Sequence, residues 1–249
     1  LCSEASSPRE MVNSQWPNAI EILKPEDLFI GSLLGVGSFG KVVESWPAEI
    51  SRPERPLWAI KIIPIKRLVR MKMVSHFKRE ILCMSKLKGC PWLVQLNGVS
   101  IDPKNVMLVM EMAGSCNLDQ HLTFLRTQGR ILTETQIKSI GGQVYSAVRF
   151  MHEKDVVHFD LKPANVAVTS EGYCKVCDFG LSAELSRGSM LKARGASPLY
   201  APPEMLQDLP VDHRYDVWSF GVMLYELCTQ TMPFDSRNLN LLRRLLATN

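Results

Sequence analysis

Residues 158–165 read His-Phe-Asp-Leu-Lys-Pro-Ala-Asn, and Asp178-Phe179-Gly180 follows thirteen residues after Asn165. A carboxylate, Asp160, is thus followed by a lysine, Lys162, and then by an amide, Asn165, while a second carboxylate, Asp178, stands in a glycine-containing turn. Folding alone does not require these residue types in this order. The chemistry they suit is one in which Asp160 orients a hydroxyl while Asn165 and Asp178 hold a metal against a triphosphate.

Two upstream features fit the same chemistry. Gly35-Val36-Gly37-Ser38-Phe39-Gly40-Lys41-Val42 is a GxGxxG run ending on an apolar residue. Alone it is weak evidence, because dinucleotide-binding folds use the same spacing where a strand enters a helix, with an acid ~20 residues on. Here Val42-Val43 and a three-proline stretch at 46–57 follow, so the loop joins two strands and its backbone can cover phosphates without side-chain bulk. The second feature is Lys61, which is carried by the short apolar strand expected from Trp58 to Ile63. Glu80 falls on the apolar face of a helix expected over about 71–87, between Phe77 and Ile81. A carboxylate there costs several kcal/mol unless it finds a cation or donors. It could instead reach water from the helix edge, but Lys61 is a partner that satisfies both charges.

The positioning elements can be read coarsely. Leu28 to about Val43 reads as strands around the glycine loop, and Leu93–Leu96 and Val106–Met112 as two more strands. Met73, Phe77, Ile81 and Met84 recur at helical spacing. Thr133-Glu134-Thr135-Gln136 fits a capping box opening a helix whose stripe is Ile137, Ile140, Val144, Val148 and Met151. The segment 216–228 is apolar nearly all round, as befits a helix at the centre of a lobe. Strands with one helix, then mostly helices, make an α+β domain of two lobes. No internal repeat is present.

The whole chain sets bounds. Its 249 residues can bury a sizeable core, and 46% hydrophobic with 22% charged residues is ordinary for a globular protein. A net charge of +4 does not call for a nucleic-acid partner. Residues 61–80 nevertheless hold seven Lys or Arg against one acid, either a solvated helix face with its lead-in loop or a dock for phosphate or an acidic segment. Seven cysteines, an odd number, favour a reducing compartment, and a cytoplasmic or nuclear location is expected. Cys174 and Cys177 form one CxxC, but no second pair completes a zinc site. No apolar run reaches the ~18 residues of a membrane helix. Residues 1–24 read as a polar tail, and the chain reads as a piece of something longer.

Together these motifs resemble the eukaryotic protein kinases, from about Leu28 to the end of the chain. Trp58-Ala59-Ile60-Lys61 is similar to the family's Val-Ala-Ile-Lys. The resemblance implies a two-lobed α+β fold: a small antiparallel-sheet lobe with one helix at 25–111 and a larger, mainly helical lobe at 112–249. It implies ATP and Mg²⁺ as cofactors, a protein substrate as partner and a regulatory domain outside this stretch. Asp160 would accept or orient the substrate hydroxyl proton, Lys162 would balance charge on the transferred group, and Asn165 and Asp178 would bind Mg²⁺. The nucleotide would lie on Leu34, Gly35, Val36, Gly37, Ser38, Phe39, Gly40, Lys41 and Val42, with Ala59 helping Val42 roof the ring. Lys61, held by Glu80, would meet the α and β phosphates. Met110 would guard the back of the adenine pocket, and Glu111 and Met112 would form the hinge. Asp216 resembles the acid that braces the catalytic loop through backbone N–H groups. Lys162 matches the serine/threonine kinases rather than the tyrosine kinases, and Ser197 occupies the usual threonine position of the peptide-docking loop. The group within the superfamily is left open, with the tyrosine-kinase-like serine/threonine kinases preferred.

The chain also departs from the pattern. Phe159 replaces the arginine of His-Arg-Asp, which ordinarily pairs with a phosphorylated residue of the activation segment. A phosphate on Ser186 or Ser189 would have to turn to Arg70, Lys72, His76, Lys192 or Arg194, so activity is expected to depend little on it. Ala167 thins the adenine floor, Pro202 stands where alanine is usual, and the sequence ends before the family's last helices. A pseudokinase or scaffold is the alternative, opposed by the retention of Lys61, Glu80, Asp160, Asn165 and Asp178. A small-molecule kinase is disfavoured by the peptide-docking signature over 197–204.

Overall fold

Apolar runs on either side of the glycine loop can bury a face only by pairing with one another. The computed structural model describes residues 20–36, 40–50, 57–193, 195, 197–234 and 243–244. They fall into two units, one running up to Gly89 and including Val94–Ala113, the other comprising Cys90–Leu93 and the chain from Gly114 onward.

The first unit contains β1 (Ile22–Leu23), β2 (Leu28–Val36), β3 (Lys41–Pro47), β4 (Trp58–Pro64), α1 (Ile65–Arg70), α2 (Val74–Lys86), β5 (Leu96–Ile101) and β6 (Asn105–Glu111). The strands form one sheet in the order β1-β5-β6-β4-β3-β2. Its long strands pair antiparallel as expected, and β1 adds a parallel edge, with Ile22 opposite Val99. Ile22 and Leu23 come from the end of the expected polar tail. β6 is buried on both faces. Val106 and Leu108 join Ile63, Phe77 and Ile81 under the helices, while Met107 and Val109 join Leu28, Val43 and Ile60 on the other side. Each such side chain contributes about 1.5–3 kcal/mol by leaving water.

The helical stretch differs from the expectation of one helix over 71–87. A six-residue helix, α1, precedes it where a lead-in loop was expected, and α2 starts only at Val74. The break is a Schellman closure: the Lys72 N–H donates to the Val69 carbonyl and the Met73 N–H to the Leu68 carbonyl, with Lys72 at φ 56. Glycine is the usual residue at that left-handed position, and its absence hides the stop signal. Leu68 and Met73 both pack on the α2 core, so apolar contact offsets the strain. The expected strand at 93–96 also moves. Residues 90–93 close a turn through the Leu93 N–H and Cys90 carbonyl at 3.3 Å, and Leu93 bridges to Val176 instead.

The second unit contains β7 (Cys116–Asn117), α3 (Leu118–Thr127), α4 (Glu134–Glu153), β8 (Val156–Val157), β9 (Val166–Val168), β10 (Cys174–Val176), β11 (Ala183–Glu184), α5 (Pro203–Leu206) and α6 (Arg214–Thr229). The capping box read at Thr133 is present, with the Gln136 N–H donating to Thr133 Oγ1 and the Thr133 N–H to Gln136 Oε1. A second box, Asn117 with Gln120, opens α3, a helix that the pattern did not reveal. Ile140, Val144, Val148 and Met151 are buried along α4, as their spacing predicts. α6 is less enclosed than its composition suggests: Val217, Gly221, Tyr225 and Cys228 are exposed along one side among the described residues. Two small sheets, β10-β9-β7 and β11-β8, bracket the loop at 158–165.

Candidate active site

In the first unit the register of the sheet assembles one group. Directly opposed residues of an antiparallel pair share a face, and residues two apart on a strand do too. Val42 pairs with Lys61, Ala59 with Met110, and Lys61 with Leu108. Val42, Ala59, Lys61 and Met110 therefore share one face, while Ile60 and Val43 turn to the core on the other. Leu34, Gly35 and Val36 close β2 beside Lys41 and Val42, with register shifts between Ile30 and Gly35. Gly40 is required by space, because a Cβ there would run into the Ile62 carbonyl. Gly37, Ser38 and Phe39 lie outside the described residues.

Lys61 Nζ donates to Glu80 Oε1 at 2.7 Å, with side chains only 14% and 6% exposed. The buried acid on α2 has the partner that the sequence argument demanded. Glu111 is anchored through Oε1, which accepts from the Gln95 N–H at 3.1 Å. The Met112 N–H already donates to the Leu57 carbonyl at 3.2 Å. It is thus committed within the unit, and the next N–H along the hinge is that of Ala113.

In the second unit, Asp216 is wholly buried at the start of α6. Its carboxylate accepts from the His158 N–H at 2.9 Å and the Phe159 N–H at 3.0 Å, and His152 Nε2 lies 2.9 Å from Oδ2. This clamp holds Phe159 at φ 62, a left-handed conformation costing a non-glycine residue about 1–2 kcal/mol. The turn it enforces presents the next residue, Asp160. His158 Nε2 lies 3.1 Å from the Cys177 carbonyl, which can only accept, so that nitrogen carries the hydrogen. Nδ1 then accepts from the Asp160 N–H at 3.2 Å.

Asp160 is the centre of the cluster. Oδ2 accepts from Lys162 Nζ at 2.7 Å and Asn165 Nδ2 at 2.9 Å, and Oδ1 accepts from the Ser197 N–H at 3.2 Å. Lys162 Nζ also donates to Ser197 Oγ at 2.7 Å. Asn165 Nδ2 donates again to the Asp160 carbonyl at 2.8 Å, so the amide is fixed with Oδ1 as its remaining end. Asp178 follows Cys177, whose N–H donates to the Asn165 carbonyl at 2.9 Å, and it adopts φ 61 beside the buried Phe179. An amide oxygen and a carboxylate are hard oxygen donors, a fit to Mg²⁺ that keeps phosphate oxygens and water as its other ligands. Among the described residues no group of three or more His, Cys, Asp or Glu could hold a metal by itself. Cys174 is a poor ligand, since burial, with Cys116 adding to it, pushes its thiol up to about 11.

Phe159 itself is buried with Val157, Ala183, Leu185, Ala201 and Tyr215. Its ring meets Tyr215 edge-on at 5.2 Å and 74°. The position that an arginine would occupy is thus an apolar joint. One network escaped the sequence reading: Tyr200 Oη donates to Glu226 Oε2 at 2.6 Å and Arg126 Nη2 to Oε1 at 2.9 Å. Burial first, then the Glu226 carboxylate, keeps the proton on the Tyr200 phenol. The signal was available, since Glu226 is an acid on an apolar helix just as Glu80 is.

A family model described as a protein kinase domain matches residues 29–247. The chain is 37% identical over 218 residues to serine/threonine protein kinase OSK3 of Oryza sativa subsp. indica, covering 87% of this chain and 41% of that protein. It is 36% identical over 213 residues to CBL-interacting protein kinase 21 of Oryza sativa subsp. japonica, covering 84% and 39%. A probable cAMP-dependent protein kinase catalytic subunit of Encephalitozoon cuniculi (strain GB-M1) is 29% identical over 233 residues, covering 92% and 68%. This chain belongs to the protein kinase domain family. It spans about two-fifths of the length of the rice relatives, 41% in the case of OSK3. Among the described residues no helix is long and apolar enough to cross a membrane.

Proposed function

We propose that the chain is the catalytic domain of a serine/threonine protein kinase, running from about residue 25, which transfers the γ-phosphoryl group of ATP to hydroxyls of protein substrates. The observation that carries this reading is the double anchoring of Asp160. One oxygen is held by Lys162 and Asn165 at 2.7 and 2.9 Å and the other by the Ser197 N–H at 3.2 Å, so the carboxylate is aimed before a substrate arrives. Such positioning and electrostatic stabilisation carry most of the catalysis in phosphoryl transfer.

Asp160 orients the substrate hydroxyl and takes its proton as the hydroxyl oxygen bonds to the γ-phosphorus. The bond from that phosphorus to the β,γ-bridging oxygen breaks, and ADP leaves. Lys162 offsets charge on the phosphoryl oxygens. Asn165 and Asp178 are the residues that would hold Mg²⁺, which when bound would neutralise charge on the phosphates. Lys61, kept in place by Glu80, serves the nucleotide phosphates. Val42 and Ala59 line the ring, and the Glu111 carbonyl with the Ala113 N–H serves the adenine edge in place of the committed Met112 N–H. The name of the rice relative OSK3, a serine/threonine protein kinase, and the Asp160-Leu161-Lys162 segment support serine/threonine specificity. The reducing setting suggested by seven cysteines supports a cytoplasmic or nuclear location.

The test is ATP-dependent phosphorylation of a mixed library of serine, threonine and tyrosine peptides. Transfer to serine or threonine peptides is the expected result. Nucleotide binding without any transfer would favour the scaffold alternative.

A further inference from the structure

The outer edge of β5 in the first unit is taken by residues 20–23, from ahead of the first long strand. The Val99 N–H donates to the Glu21 carbonyl at 2.9 Å, and Ile22 and Leu23 stand opposite Val99 and Ser100 in parallel register. A ladder this short is weak by itself, since parallel pairing is slightly the less stable kind. Side chains hold it instead, and they grip both faces of the sheet. Ile20 packs against the cluster that contains Ile63, Phe77, Ile81 and Val99, under α2. Leu23 packs against Leu28, Val43 and Ile60 and their neighbours on the other face. Ile22, between them, is 57% exposed.

Gly98 makes room for this segment. A Cβ there would stand 2.7 Å from the Glu21 carbonyl oxygen and 3.1 Å from Leu23 Cδ1. Its φ lies outside the left-handed region, so glycine serves close approach here rather than a turn.

The consequence falls on Glu80. It lies on α2 between Phe77 and Ile81, both buried in the cluster that Ile20 covers. Where those two side chains rest decides how far Glu80 reaches. A shift of about 1 Å takes a contact of 2.7 Å, that from Lys61 Nζ to Glu80 Oε1, beyond hydrogen-bonding distance.

We propose that residues 20–23 are a strap that positions α2, with Ile20 acting through Phe77 and Ile81 to keep Glu80 on Lys61. The strap's part in catalysis rests on the kinase reading, whereas its hold on α2 does not. Hydrogen exchange and turnover therefore test the two separately.

In the full chain, Gly98→Ala displaces the strap by one methyl group and Ile20→Asp removes its anchor. Ile20→Val and Ile22→Asp, the latter on the exposed side, are the controls, and circular dichroism verifies that each variant is folded. Gly98→Ala and Ile20→Asp should each speed amide exchange at Val99 and along α2 by about tenfold or more, with the β4–β6 ladder within about threefold of wild type. Both should lower kcat/KM by about fivefold or more, and the two controls should stay within about twofold. Unchanged exchange in α2 while Val99 opens would overturn the strap. So would equal acceleration of α2 and the β4–β6 ladder, the mark of a segment that only stabilises the sheet. A loosened α2 with unaltered kcat/KM would overturn its link to Glu80. Absence of transfer by the wild-type chain would count against the kinase reading, and the exchange pattern alone would then decide the strap.

Discussion

Phe159→Ala and Phe159→Gly, compared side by side, test whether an apolar joint and a strained backbone coexist at one residue. The ring is only 2% exposed, and truncating such a phenylalanine to alanine costs about 3–5 kcal/mol. The edge-on contact with Tyr215 supplies about 0.5–1.5 kcal/mol of that total. Glycine loses the same ring but escapes the φ of 62, which relieves about 1–2 kcal/mol. Against this stands glycine's extra chain entropy, about 0.5–1 kcal/mol. Phe159→Gly should therefore be as stable as Phe159→Ala or up to about 1.5 kcal/mol more stable, the reverse of the order at an ordinary strand or helix position. Native-state hydrogen exchange of the Val222 and Met223 amides gives the opening free energy of α6, on which Tyr215 lies. The reasoning is refuted if Phe159→Ala costs less than about 1 kcal/mol, or if Phe159→Gly is the weaker variant by more than about 0.5 kcal/mol.

Three further outcomes are expected. Glu80→Gln should lower kcat/KM by about tenfold or more, ~1.4 kcal/mol, while the circular dichroism of the protein is unchanged; unaltered rate and nucleotide affinity would contradict the role of the pair with Lys61. Phosphatase treatment, and separately the double variant Ser186→Ala/Ser189→Ala, should change the rate by less than about tenfold, because Phe159 offers a phosphate no partner. The third concerns pH. His213 is held below its usual 6.5, chiefly by burial and then by repulsion from His152, although Asp155, Asp212 and Asp216 pull the other way. The unfolded chain then takes up a proton that the folded chain resists, so this contribution is intact above pH 6.5 and is lost as pH falls through the lower folded value. Denaturant midpoints measured between about pH 7.5 and 5.5 should fall with pH, and His213→Gln should flatten that slope.

What could be read from the sequence was what local chemistry dictates. Glu80 on an apolar face needs a cation, and Lys61 is 2.7 Å away. Thr133 and Gln136 can satisfy one another only as a helix start, and they do. Other features depended on tertiary contact that no local pattern carries. The end of α1 rests on Lys72, whose left-handed conformation is tolerated because Leu68 and Met73 pack together. The commitment of the Met112 N–H to Leu57 depends on Leu57, just ahead of β4, lying beside the hinge. The Tyr200–Glu226–Arg126 network spans residues a hundred positions apart, although a buried acid on α6 was itself a legible demand for partners. The exposure of Val217 and Tyr225 among the described residues could not be read at all, since a helix that is apolar nearly all round does not say which of its sides the other described elements cover.

The most direct measurement is the initial rate of phosphate transfer from ATP-Mg²⁺ to a serine peptide by the wild-type chain and by Asp160→Asn, with nucleotide affinity measured on both. Asparagine keeps the shape of Asp160, but one of its two ends becomes an NH₂ that cannot accept, so it gives up either the Ser197 N–H or the Lys162 and Asn165 donors, and it cannot take the hydroxyl proton. The account predicts a rate lower by about 10²-fold or more with nucleotide affinity retained. A rate within about threefold of wild type, or ~0.65 kcal/mol of barrier, would contradict the assignment of Asp160.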